Sequence, residues 1–467
     1  MRLWSIWWDL ARQLRPAFGR TRTFLWFVAG LAAACVRPDL AGVTSYVRAL
    51  GLRHACYGPL LDLFHSPGVD LEKLTRLWTR AALCALRPVL LTVSGRPVLL
   101  ADGIKIPKAG RKMPAVKKLH QESDGNTKPE YIFGHSCQAV TLAVKAGAGF
   151  FALPLACRIH EGAVFSNRNR RTLLDKMAAL ALSLGVNEPA VLVADAYFAA
   201  AKIIEPLLKA GWHLIAAVRS NAVAYRAPEA PKPGTRGRRR TYGEKVTLKR
   251  LFEDGSAFSE APSPVYGESG VTIRFLALDL YWRPVGILVR FVLVIHPTRG
   301  RKILLCTDLS LPALSVIRLY GIRFKIEVSF KQAVHTVGAY AYHFWMKAMK
   351  PRPRKSGDQY LHRESEAYRE SVRRKLRAYH CHIQLGVIAQ GLLQAVAVLD
   401  APFVWCYFGS WLRTVRTAVP PSERVVALAM RNALPEFLAD SLHTHILAKF
   451  IRHRLDLSRA EGLRLAS

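Results

Sequence analysis

The chain has 467 residues, 51% of them hydrophobic, and carries 68 Lys/Arg against 33 Asp/Glu, a formal net charge of +35. That excess of base excludes a routine metabolic enzyme as the simplest reading and calls for a polyanionic partner: DNA, RNA or an anionic membrane face. Ten per cent aromatics and a mean hydropathy of +0.11 exclude a disordered chain. The eight cysteines are scattered with no Cys-x-x-Cys pair, which argues against zinc ribbons and disulfide frameworks and for a reducing cytoplasm. His380-Cys381-His382 and His443/His445 lack the spaced partners of a structural zinc site.

In chain order, residues 1–92 read as a helical, DNA-binding domain. Within it, residues 44–50, a break at Gly51 and residues 53–64 have helix–turn–helix spacing; Arg48 and Arg53 are the candidate DNA readers, with a plain helical hairpin as the alternative. The apolar run 24–36 is too short to span a bilayer. From residue 93 the pattern changes to strands. Residues 98–106 form a continuous apolar run broken by one carboxylate, which predicts a buried central strand. A polar loop over 111–130 and a hairpin over 137–144 and 150–157 follow. A helix over 167–184, a strand over 190–195, a helix over 196–210 and a strand over 213–218 complete a mixed α/β first part, 93–222.

Residues 223–310 are an interruption: a Pro/Gly-rich basic loop, then three predicted strands at 271–281, 289–296 and 302–308. The second part of the α/β domain is 311–400 and a helical region follows over 401–467. The apolar run 385–399 has helical periodicity and reads as a buried amphipathic helix; no membrane association is expected.

In so basic a chain the informative residues are acids inside apolar strands. Val-Leu-Leu-Ala-Asp102-Gly and Val-Leu-Val-Ala-Asp195-Ala each end a predicted central strand on a carboxylate, where open sheets place functional groups. A buried charge there needs a metal ion or hydrogen-bond donors. The structural alternatives are a turn before Gly103 for Asp102 and a helix N-cap for Asp195. On a helix, Tyr320, Arg323, Glu327 and Lys331 share one narrow face while Ile322 and Ile326 point away. That face suits a metal ligand beside phosphate contacts; a surface ion-pair stripe is the alternative.

Asp102, Asp195 and Glu327, with Tyr-x2-Arg-x3-Glu around the last, resemble the DDE transposases of bacterial insertion sequences. The similarity points to the subclass whose RNase-H-like domain carries a β-strand insertion between the second Asp and the Glu. The basic loop and three strands between Asp195 and Glu327 correspond to that insertion. The family's Glu-x6-Lys places its lysine where this chain has Val334; Lys331, one turn earlier, is the available substitute.

The resemblance implies three carboxylates holding two Mg²⁺ ions about 4 Å apart, with Mn²⁺ able to substitute. It implies double-stranded DNA as partner (transposon ends, then target), cut-and-paste transposition, a homodimer assembled on DNA and a nucleoid-associated location in the cytoplasm. Tyr320, Arg323 and Lys331 would meet phosphates near the cut. Lys232, Arg236, Arg238, Arg239 and Arg240 in the basic loop would grip backbone phosphates unless that loop is only a solvated linker. The rival expectation is a non-catalytic DNA-binding protein that keeps the same fold.

Overall fold

A computed structural model describes residues 2–121, 129–229, 240–409, 419–439 and 445–458. Its N-terminal segment forms helices α1 (Arg2–Ala11), α2 (Thr21–Val36), α3 (Thr44–Ala49), α4 (Tyr57–His65) and α5 (Leu71–Ala85). Helix α5 shows the local logic. Asp70 caps it by accepting from the Lys73 backbone N–H, and Leu74, Trp78, Ala81 and Ala82 form its buried stripe.

Strands then take over: β1 (Arg96–Pro107), β2 (Lys117–His120), β3 (Tyr131–Ala146) and β4 (Gly149–Ile159). Gly147, at φ 53°, supplies the left-handed residue of the β3–β4 turn. Helix α6 (Leu173–Ser183), β5 (Val191–Ala194), α7 (Ala201–Lys209) and β6 (His213–Ala217) follow. The expected helix over 167–184 begins only at Leu173, because Thr172 and Asp175 close a capping box there. The expected loop over 111–130 contains β2, a short strand made by pairing with β3.

Strand order is β4-β3-β1-β5-β6. β1, β5 and β6 run parallel, while β3 is antiparallel to both β1 and β4. This is the mixed sheet of an RNase-H-like domain. Strands β7 (Thr272–Trp282), β8 (Ile287–His296) and β9 (Gly300–Cys306) continue the same sheet, with β9 pairing antiparallel to β6. The segment expected as an insertion is therefore hydrogen-bonded into the same sheet as β1, β5 and β6.

The two-residue period of the central strands sorts their side chains to opposite faces. Val98, Leu100, Val191 and Val193 face helix α8 (Ala313–Ile322) and Ile326 of α9 (Lys325–Gln332). Leu99, Ala101, Leu192 and Ala194 join a second core shared with α6, α7 and the N-terminal helices.

The last long element is α10 (Glu366–Leu399), of 34 residues. By length and composition its apolar part passes for a membrane span, but that part is buried inside the fold. The run 385–399 is the end of this helix and is apolar on nearly every side, not amphipathic, because α2, α4, α5 and β4 surround α10. Its buried glutamines all have partners: Gln384 donates to the Leu155 carbonyl, Gln390 to Ser329 and Gln394 to Glu423. Gly386 permits contact with the chain leaving α9, since a Cβ there would lie 2.4 Å from Ala339.

Candidate active site

The register of the parallel pair β1–β5 sets two of the three acids side by side. Leu100 lies opposite Val193, and Asp102 and Asp195 each come two residues later, on the same face of the sheet. Asp102 Oδ1 accepts from the backbone N–H of Gly103 at 2.7 Å. Asp195 follows the last residue of β5 and caps the single 3₁₀ turn Ala196–Phe198, accepting from the Tyr197 N–H at 2.9 Å. The expected helix over 196–210 is thereby divided, and α7 starts at Ala201.

The third acid arrives from across the sheet. The segment 313–332 is two helices, α8 and α9, interrupted at Arg323 and Phe324. Ile322 and Ile326 are buried against the sheet, which holds Tyr320, Arg323 and Glu327 over the end of β5 and the middle of β1; Asp102 does not end its strand as expected, because pairing with β3 carries β1 on to Pro107. Arg323 binds two of the acids at once: Nη1 donates to Asp102 Oδ2 at 3.0 Å and Nη2 to Glu327 Oε1 at 2.9 Å. Side-chain exposure is 16% for Asp102, 18% for Arg323 and 44% for Glu327, so the pair with Asp102 is the less solvated.

Burial, followed by repulsion from Asp195, pushes the Asp102 carboxyl up to about 6; Glu327 adds to the rise, and Arg323 and the Gly103 N–H oppose it. Burial works against the Arg323 cation, but Tyr320, Asp102 and Glu327 outweigh it and raise its pKa. Tyr320 is itself raised by burial, and its ring lies 6.0 Å from the Arg323 guanidinium.

Hard oxygen donors are what Mg²⁺ or Mn²⁺ takes, and three carboxylates that feel one another are a fitting set. Among the described residues, however, no three His, Cys, Asp or Glu side chains are close enough to hold a metal ion as they stand. Arg323 supplies the positive charge there instead.

The remaining predicted residues are spread out. Lys331 is exposed in the last turn of α9, and Val334 packs half-buried on the core in a π-helical turn, Ala333–Val337. Lys232, Arg236, Arg238 and Arg239 lie outside the described residues, while Arg240 is exposed. Arg48 pairs with Asp39 at 2.8 Å, and Arg53 donates to the His453 carbonyl at 2.7 Å; no ion pair or hydrogen bond joins either to the acids. In α10, His380 is half-buried and accepts from the Ile159 N–H, while His382 is buried facing Tyr46 and Ala339. Burial lowers the pKa of both.

Gln390 was not anticipated as part of the site. Its amide donates to the Ser329 carbonyl at 2.9 Å and hydroxyl at 3.0 Å, two residues beyond Glu327. The available signal was an amide pair, Gln390 and Gln394, inside an apolar run.

No curated protein matches the chain. Among solved structures, a piggyBac transposase in a synaptic complex with hairpin DNA is similar at 10% identity, covering 94% of this chain and 77% of that one, with a TM-score of 0.35, a distant likeness. The family model described as "Transposase DDE domain" matches residues 94–335, just over half of the chain and a span that contains Asp102, Asp195 and Glu327. The protein therefore belongs to the DDE transposase family.

Proposed function

We propose that the chain is the transposase of a bacterial insertion sequence, of the subclass with a β-strand insertion. It binds the terminal inverted repeats of its element, cleaves DNA there and joins the ends to target DNA by cut and paste. The observation that carries this reading is the approach of Asp102, Asp195 and Glu327 to one another from β1, β5 and α9, with Arg323 spanning two of them.

In this reading the three carboxylates hold two Mg²⁺ ions, for which Mn²⁺ substitutes. When bound, such ions supply activation of the attacking oxygen and charge relief for the leaving one. The chain's own residues do the rest. The sheet fixes the two aspartates side by side, and the packing of Ile322 and Ile326 fixes the helix that brings Glu327 to them. Arg323, released from its ion pairs, and Tyr320 face the phosphate next to the scissile one. Lys331 offers a further cation on the same helix. Arg240 and its basic neighbours in the insertion loop grip backbone phosphates, and Arg48 and Arg53 meet the terminal repeats. Two ends handled together require two protomers, assembled on the DNA in the nucleoid.

The test is cleavage of DNA bearing the element's ends, in Mg²⁺, by Asp102→Asn, Asp195→Asn and Glu327→Gln. Each is expected to abolish cutting while end binding persists. Unchanged cutting in one variant removes that residue from the site. A wild-type protein that binds the ends but never cuts, in Mg²⁺ or Mn²⁺, is a non-catalytic DNA-binding protein on a transposase fold.

A further inference from the structure

Beyond α9 the chain passes a π-helical turn and Gly338, then runs over 339–358 as an irregular segment with turns at 339–340, 347–348 and 354–355, alongside the segment that leaves β1. The two segments are joined by backbone hydrogen bonds: Arg352 N–H to the Arg111 carbonyl, Met346 N–H to the Lys112 carbonyl and Lys118 N–H to the Ser356 carbonyl. Residues 107–121 and 338–357 together carry ten Lys/Arg and no Asp or Glu. Lys108 is buried, and Lys117 is paired with Asp358 and Glu161. The other eight, among them Arg111, Lys347, Lys350 and Lys355, are exposed or half-exposed.

Burial alternates along this stretch. Tyr342, Phe344 and Met346 point inward; His343, Trp345 and Lys347 point out. The inward row is pinned. Lys108 Nζ donates to the Tyr340 and Tyr342 carbonyls and sits 3.6 Å from the Tyr342 ring centre. His135 meets the Tyr342 hydroxyl at 2.7 Å, and the Tyr379 hydroxyl donates to the Phe344 carbonyl at 2.6 Å. The outward row is consequently held in place. Trp345 is 64% exposed, one edge of its indole lying over Gly110. Beside it opens a groove of about 380 Å³ between this row and the α3–α4 hairpin, lined by Gly42, Tyr57, His65, His343, Trp345 and Lys375. That volume lies within the roughly 300–1,000 Å³ of small-ligand sites.

We infer that this groove and its cationic rim bind single-stranded DNA, an unpaired nucleotide stacking on Trp345 while Arg111, Lys347, Lys350 and Lys355 hold the phosphates on either side. Cations alone would serve duplex DNA equally well. The aromatic wall separates the two, because bases in a duplex are already stacked on one another, whereas a free base gains from an exposed ring. The site rests on the DNA-processing function proposed above and gives that function a place for strands that have lost their partner.

The test uses the full chain and fluorescence anisotropy with two probes, a ten-nucleotide oligothymidylate and a blunt duplex of unrelated sequence. Trp345→Ala is expected to weaken oligothymidylate binding about tenfold and to leave duplex binding within about twofold. Trp345→Phe, which keeps a stacking face, is expected to restore most of the loss. Replacing Arg111, Lys347, Lys350 and Lys355 together by Ala is expected to flatten the salt dependence of oligothymidylate binding, by ~0.7 in log–log slope per lost phosphate contact. Melting temperatures of the single variants check folding, and an exposed ring predicts no change. Equal losses on both probes, or none on either, overturn the inference. A wild-type chain that binds neither probe overturns the DNA-processing function itself, a separate outcome.

Discussion

Arg323 and Asp102, 221 residues apart in sequence, meet at 3.0 Å, and the same guanidinium holds Glu327. A cation belonging to the protein thus lies between carboxylates that suit a divalent ion. Removing it leaves Asp102 near Asp195 and Glu327 with its countercharge gone. Arg323→Ala is expected to lower metal-free stability by about 1–3 kcal/mol. Added Mn²⁺ should then raise the melting temperature more in the variant than in the wild type, which must first give up its ion pairs. Thermal melts with and without Mn²⁺ decide this; equal shifts would count against a guanidinium that competes with metal.

The Asp102 carboxyl sets a pH dependence. Its pKa is about 6 in the folded chain against 3.8 ordinarily, so between these values the folded protein keeps a proton that the unfolded chain releases. Stability of the metal-free protein therefore falls as pH rises through that window, by up to about 3 kcal/mol in total. Asp102→Asn removes the slope. Urea unfolding in EDTA should show the variant gaining on the wild type from pH 4.5 to pH 7.5. A constant difference between them would falsify the account.

Gln390 ties α10 to α9. Gln390→Leu leaves the buried Ser329 hydroxyl without its donor, while the Ser329 carbonyl keeps the Ala333 N–H, and is expected to cost about 1–3 kcal/mol. Ser329→Ala keeps the carbonyl bond and should cost about 1 kcal/mol. If the bond positions the catalytic helix, cleavage falls further in Gln390→Leu than in Ser329→Ala. Urea unfolding and single-turnover cleavage measure the two effects.

Gly386 marks where α10 touches the chain that leaves α9. A methyl group there would meet the Cα and Cβ of Ala339 at 2.4 Å, one of them backbone, so the contact can open only by moving the segment after Gly338. Gly386→Ala should destabilise by about 1–3 kcal/mol through overpacking, less the ~1 kcal/mol that alanine contributes to helix propensity. A melting temperature at or above wild type would show that the two elements are further apart.

Much of this arrangement is legible in the sequence because it is local. The near-repeat of Val-Leu-Leu-Ala-Asp102 and Val-Leu-Val-Ala-Asp195 states both strands and the acid that follows each apolar run, although only Asp195 lies at a strand end, since β1 continues past Asp102 to Pro107. Buried Ile322 and Ile326 disclose which face of their segment carries Glu327. What is not legible depends on partners distant in the chain. The break at Arg323 and Phe324 and the π-helical turn after Ala333 interrupt a pattern that periodicity alone extends as one helix. Residues 117–120 have no strand signature of their own and become a strand by pairing with β3. Helix α10 is surrounded rather than half-exposed, a property of α2, α4 and α5 as much as of its own residues. That one guanidinium serves two carboxylates follows from a side-chain meeting no spacing rule encodes.

The pairing of β9 with β6 bears on how such a protein can be altered. Residues 223–310 could be mistaken for a cassette hung between two catalytic halves. Because β9 closes the flank of β6, which neighbours the strand ending at Asp195, excising that stretch would leave an open β-edge one strand from a candidate catalytic residue, with the hazard of self-association that bare edges carry. The insertion is a structural wall of the active domain, and shortening it calls for a new strand to take the place of β9.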